Sequence, residues 1–231
     1  METEKIVIGI PAKNEEKTIG KVIKDAKKYS DWVYVFDDGS SDKTKWIAIR
    51  SGANVVSNPI NLGKGATVRF AIRYLIDNKI LGINDAVCFI DADGQCDVSY
   101  IPLFFDGIRK GCDMVVAKRW LGKYPAHKRF GNWVLNKFSS LLSGLNIKDS
   151  ESGYRAFSYM MALDILRYSS SKSYGIEFEC NVICGRKKHR LAYIPILEST
   201  YISGKGTKIW DGIKNILSGI ICLTKIILER K

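Results

Sequence analysis

The chain of 231 residues has only two histidines, His127 and His189. Neither shares a ligand spacing with a cysteine, so both read as surface residues and a zinc site is not expected. Its six cysteines, Cys88, Cys96, Cys112, Cys180, Cys184 and Cys222, form no Cys-x-x-Cys pair and read as reduced thiols of a cytosolic protein. No Gly-x-Gly-x-x-Gly follows the first apolar run and no Gly-x-x-x-x-Gly-Lys-Ser/Thr occurs, which removes the dinucleotide fingerprint and the nucleotide phosphate loop. No stretch reaches the roughly 18 to 20 apolar residues of a membrane-spanning helix. The charged start, Met1 to Lys5, lacks the apolar centre of an export signal, so the expected location is cytoplasmic. Linkers rich in Pro, Gly and Ser, repeats and low-complexity tracts are also missing.

Acidic residues are outnumbered, 24 against 36 Lys plus Arg, and the formal net charge of +12 favours an anionic partner: nucleic acid, an acidic membrane surface or a phosphate-bearing substrate. The 46% apolar and 26% charged composition is that of a globular protein with a sizeable core. The length suits one compact α/β domain with an appendage.

Strand-like runs alternate with helical periods through the first half. Ile6 to Ile10 precedes a helix with apolar positions at Ile19, Val22, Ile23 and Ala26. Trp32 to Phe36 precedes a helix that Ser41 or Asp42 would cap. Asn54 to Ser57 precedes a helix through Val68, Ala71, Ile72 and Leu75, and Ala86 to Ile90 ends in Asp91-Ala92-Asp93. Met114 to Lys118 reads as a further strand, after which Arg119 to Lys148 is basic and aromatic without a clear period. Successive βα units predict a mostly parallel central sheet flanked by helices, with ligands collecting beyond the carboxyl ends of the strands. Four polar segments fall there: Pro11 to Glu16, Asp37 to Asp42, Asn58 to Gly65 and Asp91 to Gln95.

Each segment admits two readings on its own. Asp91, Asp93 and Gln95 suit a hard divalent cation, or form a solvated Asp-Gly turn. Asp37 to Asp42 offers carboxylates to ribose hydroxyls, or is a turn with a helix cap. Gly63-Lys64-Gly65 offers an uncrowded helix N-terminus and a cation to a phosphate. Arg119 and Arg129 can grip phosphate oxygens, or are solvated basic surface.

As an ordered set, Pro11-Ala12-Lys13-Asn14-Glu15-Glu16, Asp37-Asp38-Gly39-Ser40, Asn61-x-Gly63-Lys64-Gly65 and Asp91-Ala92-Asp93-Gly94-Gln95 resemble the signature blocks of family 2 glycosyltransferases with the GT-A fold. Within them the chain resembles the dolichyl-phosphate mannose synthase group. The likeness continues through Lys118-Arg119, through Asp149 to Phe157 and through Tyr174 to Glu179. It implies that Pro11, Asn14, Glu15, Asp38, Lys64, Gly65, Asp91 and Lys205 hold the donor nucleotide and its diphosphate. It further implies that Asp91, Asp93 and Gln95 ligate Mg²⁺ or Mn²⁺, so that Asp93 acts in catalysis, and that Arg119 and Arg129 meet the phosphate of a polyprenyl phosphate acceptor. The implied reaction is an inverting transfer of a hexose from a nucleoside-diphosphate sugar, GDP-mannose being favoured. A UDP-sugar transferase of the same fold, acting on a polyprenyl phosphate or on glycans, is the nearest alternative. A basic nucleic-acid-binding domain is the non-enzymatic one, and it leaves the acidic strand-end loops unexplained.

Glu177 and Glu179 would share a face in a strand but not in a helix. Arg155 either holds the acceptor-side loop through a buried ion pair or touches substrate. The expected division is a catalytic domain over residues 1 to 208 and a C-terminal amphipathic helix over 209 to 231. That helix carries a stripe of Trp210, Ile213, Ile216, Leu217, Ile220, Ile221, Thr224, Ile227 and Leu228, suited to a membrane interface, with core packing or a dimer contact as the alternative. The protein is then peripheral at the cytoplasmic face, or tethered by a membrane-anchoring partner.

Overall fold

A computed structural model describes residues 5–122, 124–196 and 209–229. The strands are β1 (Ile6–Ala12), β2 (Val33–Asp37), β3 (Asn54–Ser57), β4 (Ala86–Phe89), β5 (Met114–Arg119), β6 (Arg155–Ser158) and β7 (Leu191–Ile196). The helices are α1 (Ile19–Ala26), α2 (Thr44–Arg50), α3 (Lys64–Asp77), α4 (Ile101–Arg109), α5 (Ala126–Ser143), α6 (Tyr159–Tyr168), α7 (Gly175–Arg186) and α8 (Ile209–Leu228). One seven-stranded sheet has the order β3-β2-β1-β4-β6-β5-β7. Every pairing is parallel except those of β6, which runs antiparallel to both β4 and β5.

The period of two along the strands sorts side chains onto two buried layers. Ile6, Ile8, Ile10, Ala86, Cys88, Val115 and Ala156 pack with α1, α2 and α4. Val7, Val87, Phe89, Met114, Val116 and Phe157 pack on the other face with α3, α6, α7 and α8. The four apolar positions expected of α1 are all buried, as are those expected of α3. Strand β1 runs past the expected Ile10 to Ala12. Pro11 is tolerated there because its missing N–H lies on the β4 side, beyond the last pair of that ladder, Gly9 with Phe89. Helix α2 starts at Thr44 with Lys43, not Ser41 or Asp42, in the cap position; Asp42, one residue earlier, accepts from the Thr44 N–H at 2.9 Å and from its hydroxyl. Ser41 donates to Asn14 instead.

The second half departs further from expectation. The stretch without a clear period contains α5, whose buried positions are the small polar Ser139 and Ser143, while Phe130, Trp133 and Leu141 face outward. Leu135 and Leu142 pack against the core beside these serines, so the inner face of α5 mixes apolar and small polar residues while large aromatics lie outside, which blurs the usual helical signal. Glu177 and Glu179 lie on α7, a helix buried on nearly all sides, so they reach different neighbours. The inner positions of α8 are Asn215, Gly219, Cys222 and Ile226, and Cys222 and Ile226 join the main core. Most of the stripe read from the sequence is the outer face. His189 is no surface residue: its Nε2 lies 2.8 Å from Asp164 Oδ2 and its Nδ1 3.5 Å from Asp113 Oδ2. All six cysteines are free, and burial pushes the Cys184 and Cys222 thiols up to about 12.

Helices α5 and α7 approach closely where Gly185 meets the Ser143 carbonyl, a spot that a Cβ would occupy. Gly131, on the same helix α5, faces open space. Gly185→Ala is expected to lower the melting temperature by roughly 5–10 °C through overpacking. Gly131→Ala is expected to raise it slightly, since Ala is the better helix former by about 1 kcal/mol. Thermal unfolding followed by circular dichroism checks both.

Candidate active site

Because β1 to β4 are parallel, the four polar segments gather on one rim, beyond the carboxyl ends of their strands. Strand β6 adds a fifth element. Running antiparallel between β4 and β5, it brings the loop that precedes it, residues 149–154, to that same rim, where β5 also delivers Arg119.

On the donor side the loops interlock. Asn14 adopts φ 53°, a left-handed conformation that Asn tolerates, and so turns its Oδ1 to the Ser41 N–H at 2.9 Å while its own N–H donates to Ser40 Oγ. The Glu15 N–H donates to Thr44 Oγ1 at 2.8 Å. Asp38 is buried, and both its oxygens accept from within the protein, Oδ1 from the Leu62 N–H at 2.8 Å and Oδ2 from the Gly63 N–H at 2.9 Å. Its first task is therefore to hold the 61–63 turn. The glycines there are crowded rather than open. A Cβ on Gly65 would sit 2.5 Å from the Ser171 carbonyl oxygen, Gly63 (φ 89°) faces the Lys172 carbonyl, and that carbonyl accepts from the Ala66 N–H. The start of α3 is thus packed against residues 171–173, and the uncrowded N-terminus expected from the sequence is not what forms.

Lys64 points inward. Its Nζ lies 2.8 Å from Asp91 Oδ1 and 2.9 Å from Glu177 Oε1. Burial lowers the pKa of such an ammonium, but Asp91 and Glu177 outweigh it and hold Lys64 above the ordinary lysine range. Gly153 covers this group so closely that a Cβ there would lie 2.7 Å from Asp91 Oδ2. The cavity beside it is lined by Pro11, Lys64, Asp91, Gly153, Arg155 and Glu177. Asp93, the second carboxylate of the loop, accepts from the Gln95 N–H at 3.0 Å and from Gln95 Nε2 at 2.7 Å.

A divalent cation fits this donor set. Among the described residues no cluster of three or more His, Cys, Asp or Glu side chains forms an all-protein cage. Mg²⁺ and Mn²⁺ do not need one, since one or two carboxylates plus substrate phosphates suffice. Glu177 Oε2 is buried with no hydrogen-bond partner among the described residues, so the donor set keeps one orphaned buried oxygen.

On the other side, Arg119 is clasped by Asp149, with Nε 2.8 Å from Oδ2 and Nη2 2.8 Å from Oδ1. Burial raises the Asp149 pKa, but Arg119 more than reverses this and holds the carboxyl below its ordinary value. Arg155, 2% exposed, donates to the carbonyls of Ser150, Ser152 and Glu177 and to Asn181 Oδ1, all within 3.0 Å. It holds the 149–154 loop, the first of the two readings, but through carbonyl oxygens and not through an ion pair. Arg129 is exposed on the first turn of α5. Lys205 lies outside the described residues.

The model of the family described as Glycosyl transferase family 2 matches residues 7–162. The chain belongs to that family. It is 28% identical over 235 residues to the UDP-N-acetylglucosamine–dolichyl-phosphate N-acetylglucosaminyltransferase of Methanococcus voltae, covering 90% of this chain and 92% of that one. It is also 28% identical over 203 residues to the undecaprenyl-phosphate mannosyltransferase of Micrococcus luteus, covering 81% and 80%. Among solved structures it is similar to glucosyl-3-phosphoglycerate synthase of Mycobacterium tuberculosis in complex with Mn²⁺, UDP and glucosyl-3-phosphoglycerate. The TM-score is 0.68 at 21% identity, over 96% of this chain and 80% of that one, a likeness of fold.

In this family 2 glycosyltransferase, Asp149, Glu151, Glu177 and Glu179 are among the residues that sequence reasoning left without a role. Only their partners give them one, and those partners lie elsewhere in the sequence. The Arg119–Asp149 pair has a pH signature. Its stabilisation is complete above the ordinary carboxylate range and is lost as pH falls through the lowered Asp149 value. Arg119→Met removes the main opposition to burial, leaving the residue 119 N–H and Arg155, so acid unfolding followed by circular dichroism is expected to begin roughly one pH unit higher than in the wild type, with Arg119→Lys in between.

Proposed function

We propose that this glycosyltransferase moves a hexose from a nucleoside-diphosphate sugar to a polyprenyl phosphate at the cytoplasmic face of a membrane, with Mg²⁺ or Mn²⁺ and with inversion. The observation that carries this reading is that the 149–153 loop touches both halves of the rim: Gly153 packs on Lys64 and Asp91, and Asp149 clasps Arg119. A carboxylate site for a metal diphosphate and a guanidinium site for a phosphate thus share one wall.

Asp91 and Asp93, with Gln95, would hold the cation, which when bound neutralises charge developing on the leaving diphosphate. Lys64 and Glu177 keep Asp91 oriented. Pro11, Asn14, Glu15 and Asp38 build the nucleotide side, Asp38 through the turn it holds, and Lys205 would add a cation to the diphosphate. The acceptor, a phosphate monoester with a second pKa near ~6, is largely dianionic at neutral pH. It needs placement rather than a strong base. Arg119, pre-oriented by Asp149, and Arg129 would supply that placement and relieve repulsion between the two phosphates. GDP-mannose is the proposed donor, with UDP-glucose or UDP-N-acetylglucosamine the alternative, and the names of the two relatives span both sugar classes.

A membrane surface is the proposed site of reaction. Among the described residues no helix is long and apolar enough to cross a membrane. Helix α8 nonetheless turns Trp210 (73% exposed), Leu217, Ile221 and Leu228 outward, and α5, which packs against it, exposes Phe130, Trp133 and Leu141. Lys128, Arg129 and Lys137 on α5 and Lys214 and Lys225 on α8 supply cations beside this apolar surface, the combination that binds anionic bilayers.

Asp93→Ala is expected to abolish sugar transfer with the melting temperature preserved, and to remove the Mn²⁺-dependent thermal shift produced by the matching nucleotide, GDP or UDP; retained turnover would refute the metal assignment. For the surface, Trp133→Glu combined with Leu217→Glu is expected to weaken sedimentation with vesicles containing anionic lipid at least tenfold, since each change removes about 1.5–3 kcal/mol of burial. Unchanged sedimentation would return both helices to a purely structural role.

A further inference from the structure

The inner face of α8 carries polar contacts that an anchor does not need. Asn215, 2% exposed, donates through Nδ2 to both oxygens of Glu151, at 3.2 and 3.4 Å. Three residues on, and so on the same face, Ser218 Oγ donates to Glu179 Oε1 at 2.6 Å. Both groups are satisfied by carboxylates, and such bonds fix the position of their partners more narrowly than apolar contacts of the same size would.

The two contacts lead to the two sides of the rim. Glu151 lies two residues from Asp149, which clasps Arg119, and its N–H donates to Asp149 Oδ1, so this contact leads to the Arg119 side. Glu179 Oε2 accepts from the Ser169 hydroxyl and from the N–H groups of Ser170 and Ser171, at 3.0 and 3.1 Å for the latter two. That segment continues into the carbonyls of Ser171 and Lys172, which pack against Gly63 and Gly65 at the start of α3, while Arg69 of α3 donates to Ser171 O. From one helix face, Asn215 reaches the Arg119 side and Ser218 reaches the start of α3.

We infer that α8 is a positioning element of the transfer site: Asn215 sets the acceptor-side loop through Glu151, and Ser218 sets the donor-side turn through Glu179. The inference rests on the transferase reading above. It assigns the face of α8 turned away from solvent a task separate from membrane contact, and it makes the two residues act on different substrates.

The test compares full-length wild type, Asn215→Leu, Ser218→Ala, Glu151→Ala and the Asn215→Leu/Glu151→Ala double variant. Acceptor KM and kcat are measured with the polyprenyl phosphate in detergent and in vesicles, and affinity for GDP or UDP with Mn²⁺ by calorimetry. Asn215→Leu is expected to raise acceptor KM roughly tenfold in both presentations, with nucleotide affinity within about twofold of wild type. Ser218→Ala is expected to weaken nucleotide binding while sparing acceptor KM. The double variant should be no worse than Glu151→Ala alone. If Asn215→Leu and Ser218→Ala each lower every parameter together with the melting temperature, or if the Asn215→Leu loss appears only in vesicles, α8 is a packing or docking element and the inference is wrong. Should Asn215→Leu not fold, Glu151→Ala carries the same acceptor-specific expectation. Absence of turnover by the wild type with any donor would instead refute the transferase reading.

Discussion

One ammonium group ties the rim of this molecule together. Lys64 opens α3, Asp91 closes β4 and Glu177 lies in the first turn of α7, and a single Nζ holds both carboxylates within 3 Å. Three elements from three parts of the chain thereby share one charged point beneath Gly153. Such a group is costly to leave incomplete in a buried setting, because each unpaired charge keeps its full desolvation penalty. The surrounding architecture supplies what it needs: glycine where no Cβ fits, and Arg155 gripping the carbonyls of the loop above.

The antiparallel strand β6 makes the convergence geometrically available. Parallel strands alone place loops that follow a strand on the catalytic rim, whereas a reversed strand adds one that precedes it. The 149–154 loop reaches the rim in this way, carrying both the partner of Arg119 and the cover of Lys64. The same loop then meets α8 through Glu151, whose N–H donates to Asp149, so α8 and the Arg119–Asp149 pair are joined by hydrogen bonds.

The first half of the fold was legible because its strands and helices obey simple periods, and because Pro11, Asp37, Asn58 and Asp91 mark strand ends with residues that favour turns. The acidic loops were legible for the same reason, their position at strand ends being a local property. Helix α5 was not, since its inner face mixes Leu135 and Leu142 with Ser139 and Ser143 and leaves its aromatics outside. The inner face of α8 was hidden in a similar way, as Asn215, Gly219 and Cys222 do not register beside the larger outward residues. Glu177 and Glu179 could not be given roles without knowing whether they lay on a strand or a helix, and the tight approach around Gly63 and Gly65 could not be foreseen without residues 171–173.

By itself, then, the sequence determined the class of the fold, the rim on which chemistry collects and the family to which the chain belongs, because periodicity, turn chemistry and motif order are properties of neighbouring residues. Tertiary structure alone decided which charges meet. Lys64 turned inward to Asp91 and Glu177 rather than outward to solvent, Asp38 spent both oxygens on a turn, and Asp149 took hold of Arg119. Such pairings depend on distances between residues tens of positions apart, set by sheet order and helix packing, and no local pattern encodes them.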